Sequence, residues 1–553
     1  MNKGFLCQER LLYGPWPALE RNIARLLPYL QFDNVQLIGG PYDQGADVLA
    51  HLNGEKWVFQ VKFTRGTSIG AVAISEVLEA GRFYGAQRGT IVTNSFFSKE
   101  AYIAKETLTG SGIKIELWDG ALLAELYSRI EEFPPVPWPL YPYQEQAILA
   151  LRETFLNPNR HNALIVMATG LGKTYVVANF ISTITRDDPE TKVLVLAHVK
   201  ELVHQLEKAF WPHLNKHIAT HIWTGEEKPS FSEGITFATI QSIASNTSNA
   251  KRGQFDIIIV DEAHHIGSET YQQTINFLSP KFLIGITATP WRLDKFKLSA
   301  IFGEPSFSIS IVEGMNQGYL AEVEYRMLID DINWDEFKKI TRGQYSINEL
   351  NRRLFLPGRD QAVVGKIKEH WDDSKKPRAI VFCRSIQHAQ RMTGMLNAAG
   401  FCNSYCISSA TPRRERDIIL NKFRDGKIDV LVTVDLLNEG IDVPEVNLIA
   451  FLRVTHSRRI FVQQLGRGLR LSKGKTHVKV LDFVADIRRI AAGLDLEEEH
   501  EEFKRQHPNI IHIPNRIVQF TNDKAMSLFK EWLADIANVQ DADEQSRLEF
   551  PPP

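Results

Sequence analysis

Between about residues 143 and 488 the chain alternates continuous apolar runs with helix-period stretches. Ala163-Leu-Ile-Val-Met167, Val193–Ala197, Phe255-Asp-Ile-Ile-Ile-Val260 and Phe282–Thr287 lack polar alternation and read as strands buried on both faces, while Tyr175-Val-Val-Ala-Asn-Phe-Ile181 reads as helix. A second set, at 379–383, 429–433, 447–452 and 478–482, repeats the scheme with helical runs between. Strands of this kind separated by helices predict two parallel α/β sheets. Residues 1–132 follow another rule. Apolar positions 19, 23, 26, 27 and 30 recur at helical spacing behind Pro17, and then Asp47-Val-Leu-Ala-His-Leu52, Asn53-Gly54 and Glu55-Lys-Trp-Val-Phe-Gln-Val-Lys-Phe63 read as a hairpin, because Asn-Gly favours a two-residue type I′ turn.

The turn fixes a register. With Leu52 opposite Glu55, Asp47 falls opposite Gln60, and Lys62 shares their face by the strand period of two. Val48, Ala50, Trp57, Phe59, Val61 and Phe63 take the other, apolar face. An acid, an amide oxygen and an ammonium on one face are suited to hold Mg²⁺ through oxygen ligands and to activate water against a phosphodiester. A hairpin with an ordinary solvent face is the plain alternative.

Two stretches in the middle of the chain carry phosphate chemistry. Met167-Ala-Thr-Gly-Leu-Gly-Lys-Thr174 lies between a predicted strand and a predicted helix, so backbone N–H groups and the helix N-terminus face an anion. Gly170 and Gly172 admit close backbone approach, Lys173 supplies a charge, and the Thr174 hydroxyl is a Mg²⁺ ligand. The strict pattern has Gly where this chain has Met167. Asp261-Glu262-Ala263-His264 closes the apolar run at 255–260, where Asp261 suits a metal ion and Glu262 a water.

These motifs resemble those of superfamily-two helicases and translocases, and they come in that family's order. Tyr143-Gln144 resembles the adenine-reading element. The stretch from Leu194 to Gln205 and Ala238-Thr-Ile-Gln-Ser242 resemble strand-tracking motifs; Thr287-Ala-Thr289 resembles the coupling motif. Ile380-Val-Phe-Cys-Arg384, Val430-Leu-Val-Thr433 with Glu439-Gly-Ile-Asp442, and Gln463-Gln-Leu-Gly-Arg-Gly-Leu-Arg470 resemble the remainder. The resemblance implies two RecA-like domains, nucleotide contacts from Gln144, Thr169, Gly170, Gly172, Lys173, Thr174, Gly440, Asp442 and Gln463, and Arg467 and Arg470 as arginine fingers.

Gly45-Ala-Asp47, Gln60-Val-Lys62, the stretch Thr90–Ala101 and Ile115-Glu-Leu-Trp-Asp-Gly120 resemble the Mrr-type restriction endonuclease domain, a branch of the PD-(D/E)xK nucleases. Gln60 stands where many nucleases of the wider class carry Glu. The resemblance makes Asp47, Gln60 and Lys62 the catalytic set, with Asp47 and Gln60 on the metal and Glu20 as the helix-borne acid; Glu76 is its rival. The implied activity is an ATP-dependent DNA helicase or translocase with a Mg²⁺-dependent endonuclease, in restriction or phage defence. A DNA-repair helicase, or an ATP-switched protein whose nuclease-like domain only docks DNA, stays open.

At 553 residues the chain exceeds a single core of roughly 250–300 residues. The expected divisions are a nuclease-like domain at 1–132, a linker at 133–142 holding five prolines, a RecA-like domain at 143–312, a connector of no strong period from about 313 to 375 that leads into a second RecA-like domain ending at 488, and an acidic extension at 489–553. A net charge of −2 gives no global attraction to DNA, so a binding groove has to be locally basic. No run approaches the roughly 20 apolar residues of a membrane span. Four cysteines make neither a disulfide framework nor a zinc site, which points to free thiols in a reducing cytoplasm. ATP, Mg²⁺, DNA and further defence-system subunits are the expected partners.

Overall fold

The structure is a computed structural model. It describes residues 4–327 except 39–44, 112, 136–138, 247–249 and 289–297, and beyond 327 only 344–346, 360–371, 377–383, 385–434, 445–452, 471, 475, 477–483, 518–519 and 547–549. They form two compact units: residues 1–165, 174–286 and 298–307, and residues 166–173, 287–297 and 308–553.

The first unit begins with α1 (Gln8–Tyr13) and α2 (Trp16–Leu26), then β1 (Asp33–Leu37), β2 (Val48–Leu52), β3 (Glu55–Lys62), α3 (Val72–Tyr84), β4 (Arg88–Thr93), α4 (Lys99–Gly110), β5 (Lys114–Trp118) and α5 (Gly120–Arg129). The strands form one mixed sheet in sequence order, antiparallel from β1 to β3 and parallel from β3 to β5. Asn53 and Gly54 both take positive φ, 53° and 79°, as a type I′ turn requires. The ladder then runs Leu52↔Glu55 to Val48↔Phe59 in the register the turn predicts. Val48, Ala50, Trp57, Phe59 and Val61 join one core with α2 and α5. The opposite face is not a solvent face: α3 and α4 cover it, and Ala46, Leu49, Val58 and Ile91 make a second core with them.

α6 (Pro142–Leu156) opens the next sheet, followed by β6 (Asn162–Met167), α7 (Lys173–Asp187), β7 (Val193–Ala197), α8 (Lys200–Phe210), β8 (Thr220–Trp223), β9 (Ile235–Thr239), α9 (Ile240–Ala244), β10 (Ile257–Asp261), α10 (Glu269–Leu278), β11 (Phe282–Thr287) and β12 (Phe307–Ile309). The order is β12-β6-β11-β10-β7-β9-β8, with parallel pairing from β11 through β8. Every residue of β7, β9, β10 and β11 is buried, which is why these strands read as unbroken apolar runs. Met167 belongs to β6 and is fully buried. A packed strand residue therefore stands where the strict phosphate-loop pattern has a glycine.

In the second unit, β13 (Glu322–Met327), β14 (Gln344–Ser346), β15 (Ala379–Cys383), β16 (Ser404–Ile407), β17 (Val430–Thr433), β18 (Leu448–Leu452), β19 (His477–Asp482), β20 (Val518–Gln519) and β21 (Arg547–Glu549) follow. Seven of them form a parallel sheet in the order β16-β17-β15-β18-β19-β13-β20; β14 pairs with β21. The stretch at 313–375, which carries no strong period, thus contributes β13 to the second RecA-like sheet. Two RecA-like parallel sheets behind a mixed-sheet nuclease-like domain constitute the α/β architecture.

Within the first unit the mixed-sheet domain is packed on the sheet that follows it. Arg21 of α2 is buried and reaches Glu207 of α8 at 2.9 Å and both carboxylate oxygens of Glu227 at 2.7 Å. Arg25, four residues on, donates to the carbonyls of Ile218 and Asn215. The Lys216 N–H donates to Glu132 O at 2.7 Å, Tyr127 donates its hydroxyl to Lys216 O, and Trp211 enters the core of the mixed-sheet domain.

Candidate functional site

In the mixed sheet, Asp47 immediately precedes β2, where the ladder ends. Its backbone N–H donates to Phe59 O, and its carboxylate accepts from the Val61 N–H at 2.5 Å. The side chain is thus fixed by the backbone of β3. Gln60 lies mid-strand and is 1% exposed. Its Nε2 donates to Glu76 Oε2 of α3 at 2.6 Å, and the Lys62 ammonium meets the same oxygen at 2.6 Å. Burial alone would raise the Glu76 carboxyl, but Lys62 and Gln60 hold it below the ordinary carboxylate value.

Gln60 Oε1 is buried and has no hydrogen-bond partner. An orphaned carbonyl oxygen costs about 1–3 kcal/mol in a core, so it marks a place for an electrophilic guest. A divalent cation fits: Asp47 and Gln60 present oxygens, and a hard cation takes oxygen ligands. Among the described residues no three His, Cys, Asp or Glu side chains group as metal ligands, so a cation here would draw on the amide oxygen. Gly45, at φ 78°, makes room for this arrangement: a Cβ there would stand 2.9 Å from Gln60 Nε2 and 3.4 Å from Glu76 Cβ.

Glu76 is thus the acid brought to Gln60 and Lys62, and Glu20 sits in α2 at 8% exposure. Glu76 was expected only as the rival to Glu20, and spacing alone gave no signal for its place beside Lys62, since 13 residues separate the two in the sequence. Asn94 was missed. It accepts from the Thr64 N–H and donates to Leu11 O and Thr64 O, tying the loop after β3 to α1.

In the following sheet, the turn at 168–172 leaves β6, with Gly170 at φ 96° and Gly172 at φ 81°, and Lys173 and Thr174 open α7. Asp261 ends β10 and is buried. Burial raises the Tyr271 hydroxyl of α10, and the Asp261 charge raises it further. Glu262 holds a left-handed backbone, φ 48° and ψ 57°, a conformation that costs a non-glycine residue about 1–3 kcal/mol and clusters at functional sites. It turns the chain sharply off the strand. Its carboxylate lies 3.3 Å from His264 Nδ1, and the ring of His265 packs between those of His264 and His198. Gln144 is buried, and its amide oxygen accepts from the Tyr141 N–H as part of the α6 cap. Thr289, Arg384, Gly440, Asp442, Gln463, Arg467 and Arg470 lie outside the described residues.

Three family models match. A restriction endonuclease model (Mrr_cat) covers residues 14–127, the type III restriction enzyme res subunit model covers 138–292, and the helicase conserved C-terminal domain model covers 362–472. The chain thus carries, in order, a region that matches a restriction endonuclease domain and two regions that match the domains of superfamily-two helicases. The chain is 25% identical over 356 residues to IRC3 of Saccharomyces cerevisiae, which carries a provisional ATP-dependent helicase name; the match takes in 62% of this chain and 51% of that protein. It is also 25% identical over 404 residues to the type I restriction enzyme EcoKI endonuclease subunit of Escherichia coli K12, across 62% of this chain and 34% of the subunit. The chain thus spans about half or less of the length of these relatives. Its fold is similar to that of the ATP-dependent type ISP restriction-modification enzyme LlaBIII bound to DNA, with TM-score 0.53 and 18% identity over 93% of this chain and 41% of that one. Among the described residues, no helix is long and apolar enough to cross a membrane.

Proposed function

We propose that the chain is an ATP-dependent DNA helicase or translocase that also cuts DNA, acting in restriction of foreign DNA. The observation that carries the reading is the polar set Asp47, Gln60, Lys62 and Glu76, of which Asp47 and Gln60 are buried between two apolar cores with one amide oxygen unsatisfied. Stability alone disfavours such a set. In this reading Asp47 and Gln60 hold Mg²⁺, which polarises the scissile phosphate, and Lys62 orients the attacking water and offsets the growing charge on the phosphate. Glu20 acts as the helix-borne acid.

The motor turns over ATP. Lys173 and the amides of Thr169, Gly170 and Gly172 bind its phosphates, Thr174 and Asp261 hold Mg²⁺, and Glu262 orients water. Gln144 reads adenine, Gly440, Asp442 and Gln463 contact the nucleotide, and Arg467 and Arg470 neutralise transition-state charge. The domain divisions at 1–132, 133–142, 143–312, 313–488 and 489–553 belong to the same reading. DNA is the substrate, and further subunits of a defence system are the partners. A cytoplasmic setting accords with four free cysteines.

The test is ATP hydrolysis and plasmid cleavage by the purified chain, with and without Mg²⁺ and DNA. DNA should raise ATP turnover, and Asp47→Ala or Lys62→Ala should abolish cleavage while leaving that stimulated turnover intact. Turnover indifferent to DNA would overturn the motor reading. Cleavage absent from the wild type under every condition would favour a nuclease fold that only docks DNA.

A further inference from the structure

The Mrr-type centre has an amide, Gln60, where a carboxylate would ligate a cation from either oxygen. An amide has one oxygen and one NH₂ group, so it ligates in only one of its two orientations. Something has to select that orientation.

Glu76 does so by elementary hydrogen-bond chemistry. A carboxylate only accepts, and Glu76 Oε2 lies 2.6 Å from the Gln60 amide nitrogen. Turning the amide over would set two oxygens at that distance, replacing a charge-assisted hydrogen bond with repulsion. The Lys62 ammonium, 2.6 Å from the same Oε2, is a donor only, so that oxygen accepts from both neighbours. With Nε2 committed to Glu76, Oε1 is the free end of the amide, and it is the buried oxygen without a partner. Gly45 bounds the amide on a further side, because any Cβ there would stand 2.9 Å from Nε2.

We propose that Glu76 is a positioning residue of the nuclease centre: by accepting from Gln60 Nε2 it locks the amide so that Oε1, together with the Asp47 carboxylate, is presented to the divalent cation. The inference rests on the nuclease reading above. It also assigns a second task to the Lys62–Glu76 ion pair, whose side chains are 36% and 41% exposed and so are open to solvent while the amide is not.

The test is Mn²⁺ binding to the full chain without nucleotide, read by isothermal titration or by the loss of free-Mn²⁺ electron paramagnetic resonance. Asp47→Ala sets the background from other sites. Glu76→Gln keeps shape and volume, but its own NH₂ can donate to Gln60 Oε1, so both amide orientations are satisfied and the ligand oxygen is occupied. Mn²⁺ affinity should fall about 10–100-fold, the range typical of lost outer-shell partners. The exchange variant Gln60→Glu with Glu76→Gln restores one donor facing one acceptor, and its affinity should return to at least that of the wild type. If Asp47→Ala binds Mn²⁺ as wild type does, the nuclease reading itself falls. If Asp47→Ala loses binding but Glu76→Gln does not, the positioning role is wrong and the nuclease reading stands. If Glu76→Gln loses binding and the exchange fails to restore it, Glu76 acts as a ligand or as a structural brace, and orientation of the amide is refuted.

Discussion

Arg21 offers the sharpest test of how the nuclease domain is attached to the motor. Its guanidinium meets Glu207 at 2.9 Å and Glu227 at 2.7 Å through two parallel hydrogen bonds, and the three side chains are 6%, 2% and 8% exposed. Burial works against the Arg21 charge and raises the Glu227 carboxyl, yet the two carboxylates hold Arg21 above its ordinary value, so the guanidinium stays charged. Arg21→Ala removes the hydrogen-bonded cation from two buried carboxylates. Thr220 still donates to Glu207, but nothing replaces the fork to Glu227. Breaking a buried pair in this way costs about 3–5 kcal/mol, a loss of roughly 10²–10⁴ in protection of the amides that the contact closes. Hydrogen exchange followed by mass spectrometry should therefore show faster exchange in peptides covering α2 and residues 204–235, with the second RecA-like sheet unchanged. The loss should shrink as pH falls from about 8 to about 5. Burial raises the Glu227 carboxyl above its unfolded value, so the folded variant takes up that proton first and is relieved of its charge. An apolar trio, Arg21→Met with Glu207→Leu and Glu227→Leu, should recover most of the protection, because a buried ion trio is seldom more stable than well-packed hydrophobes. Exchange in Arg21→Ala equal to wild type at pH 8 would refute the argument that this contact holds the domains together.

In the motor, Lys173→Ala should lose both ATP binding and turnover, whereas Glu262→Gln should bind a fluorescent nucleotide normally and hydrolyse ATP about 10²–10⁴-fold more slowly; near-normal turnover in either would remove that residue from the site. Burial, with Asp429 nearby, pushes the Cys402 thiol up to about 12, so peptide-resolved alkylation at pH 8 should be slow and rise about tenfold per pH unit. A rate like that of a free thiol at pH 8 would contradict the burial of Cys402.

The hairpin was legible because one dipeptide determines it: Asn53-Gly54 sets the register, and the alternation of Trp57, Phe59 and Val61 assigns their face. What the pattern could not show was that Gln60 and Asp47 are buried too. That follows from α3 and α4 closing over the second face, and neither helix covers it through a feature local to β3. Arg21 and Arg25 lie off the apolar stripe of α2, and nothing in that stripe marks them as buried. Their partners lie about 200 residues away, and only tertiary packing brings them together. The parallel strands β7, β10, β11 and β15 were plain as unbroken apolar runs, whereas β13 was hidden, since it completes a sheet whose neighbours, β19 and β20, lie far along the chain. Met167 departs from the phosphate-loop pattern because it still belongs to the strand.

The five-proline stretch at 133–142 suggests a cutter on a tether, but Arg21, Arg25, Tyr127 and Trp211 fasten the Mrr-type domain along α8 and the loops beyond it. A tethered blade samples a sphere of DNA around its motor, and its incisions scatter with the length of the leash. A blade fastened to one lobe travels with that lobe at every stroke. In the proposed activity, the distance between the enzyme's footprint and the nick it leaves is then a constant of the fold, and lengthening the proline stretch would not move the cut.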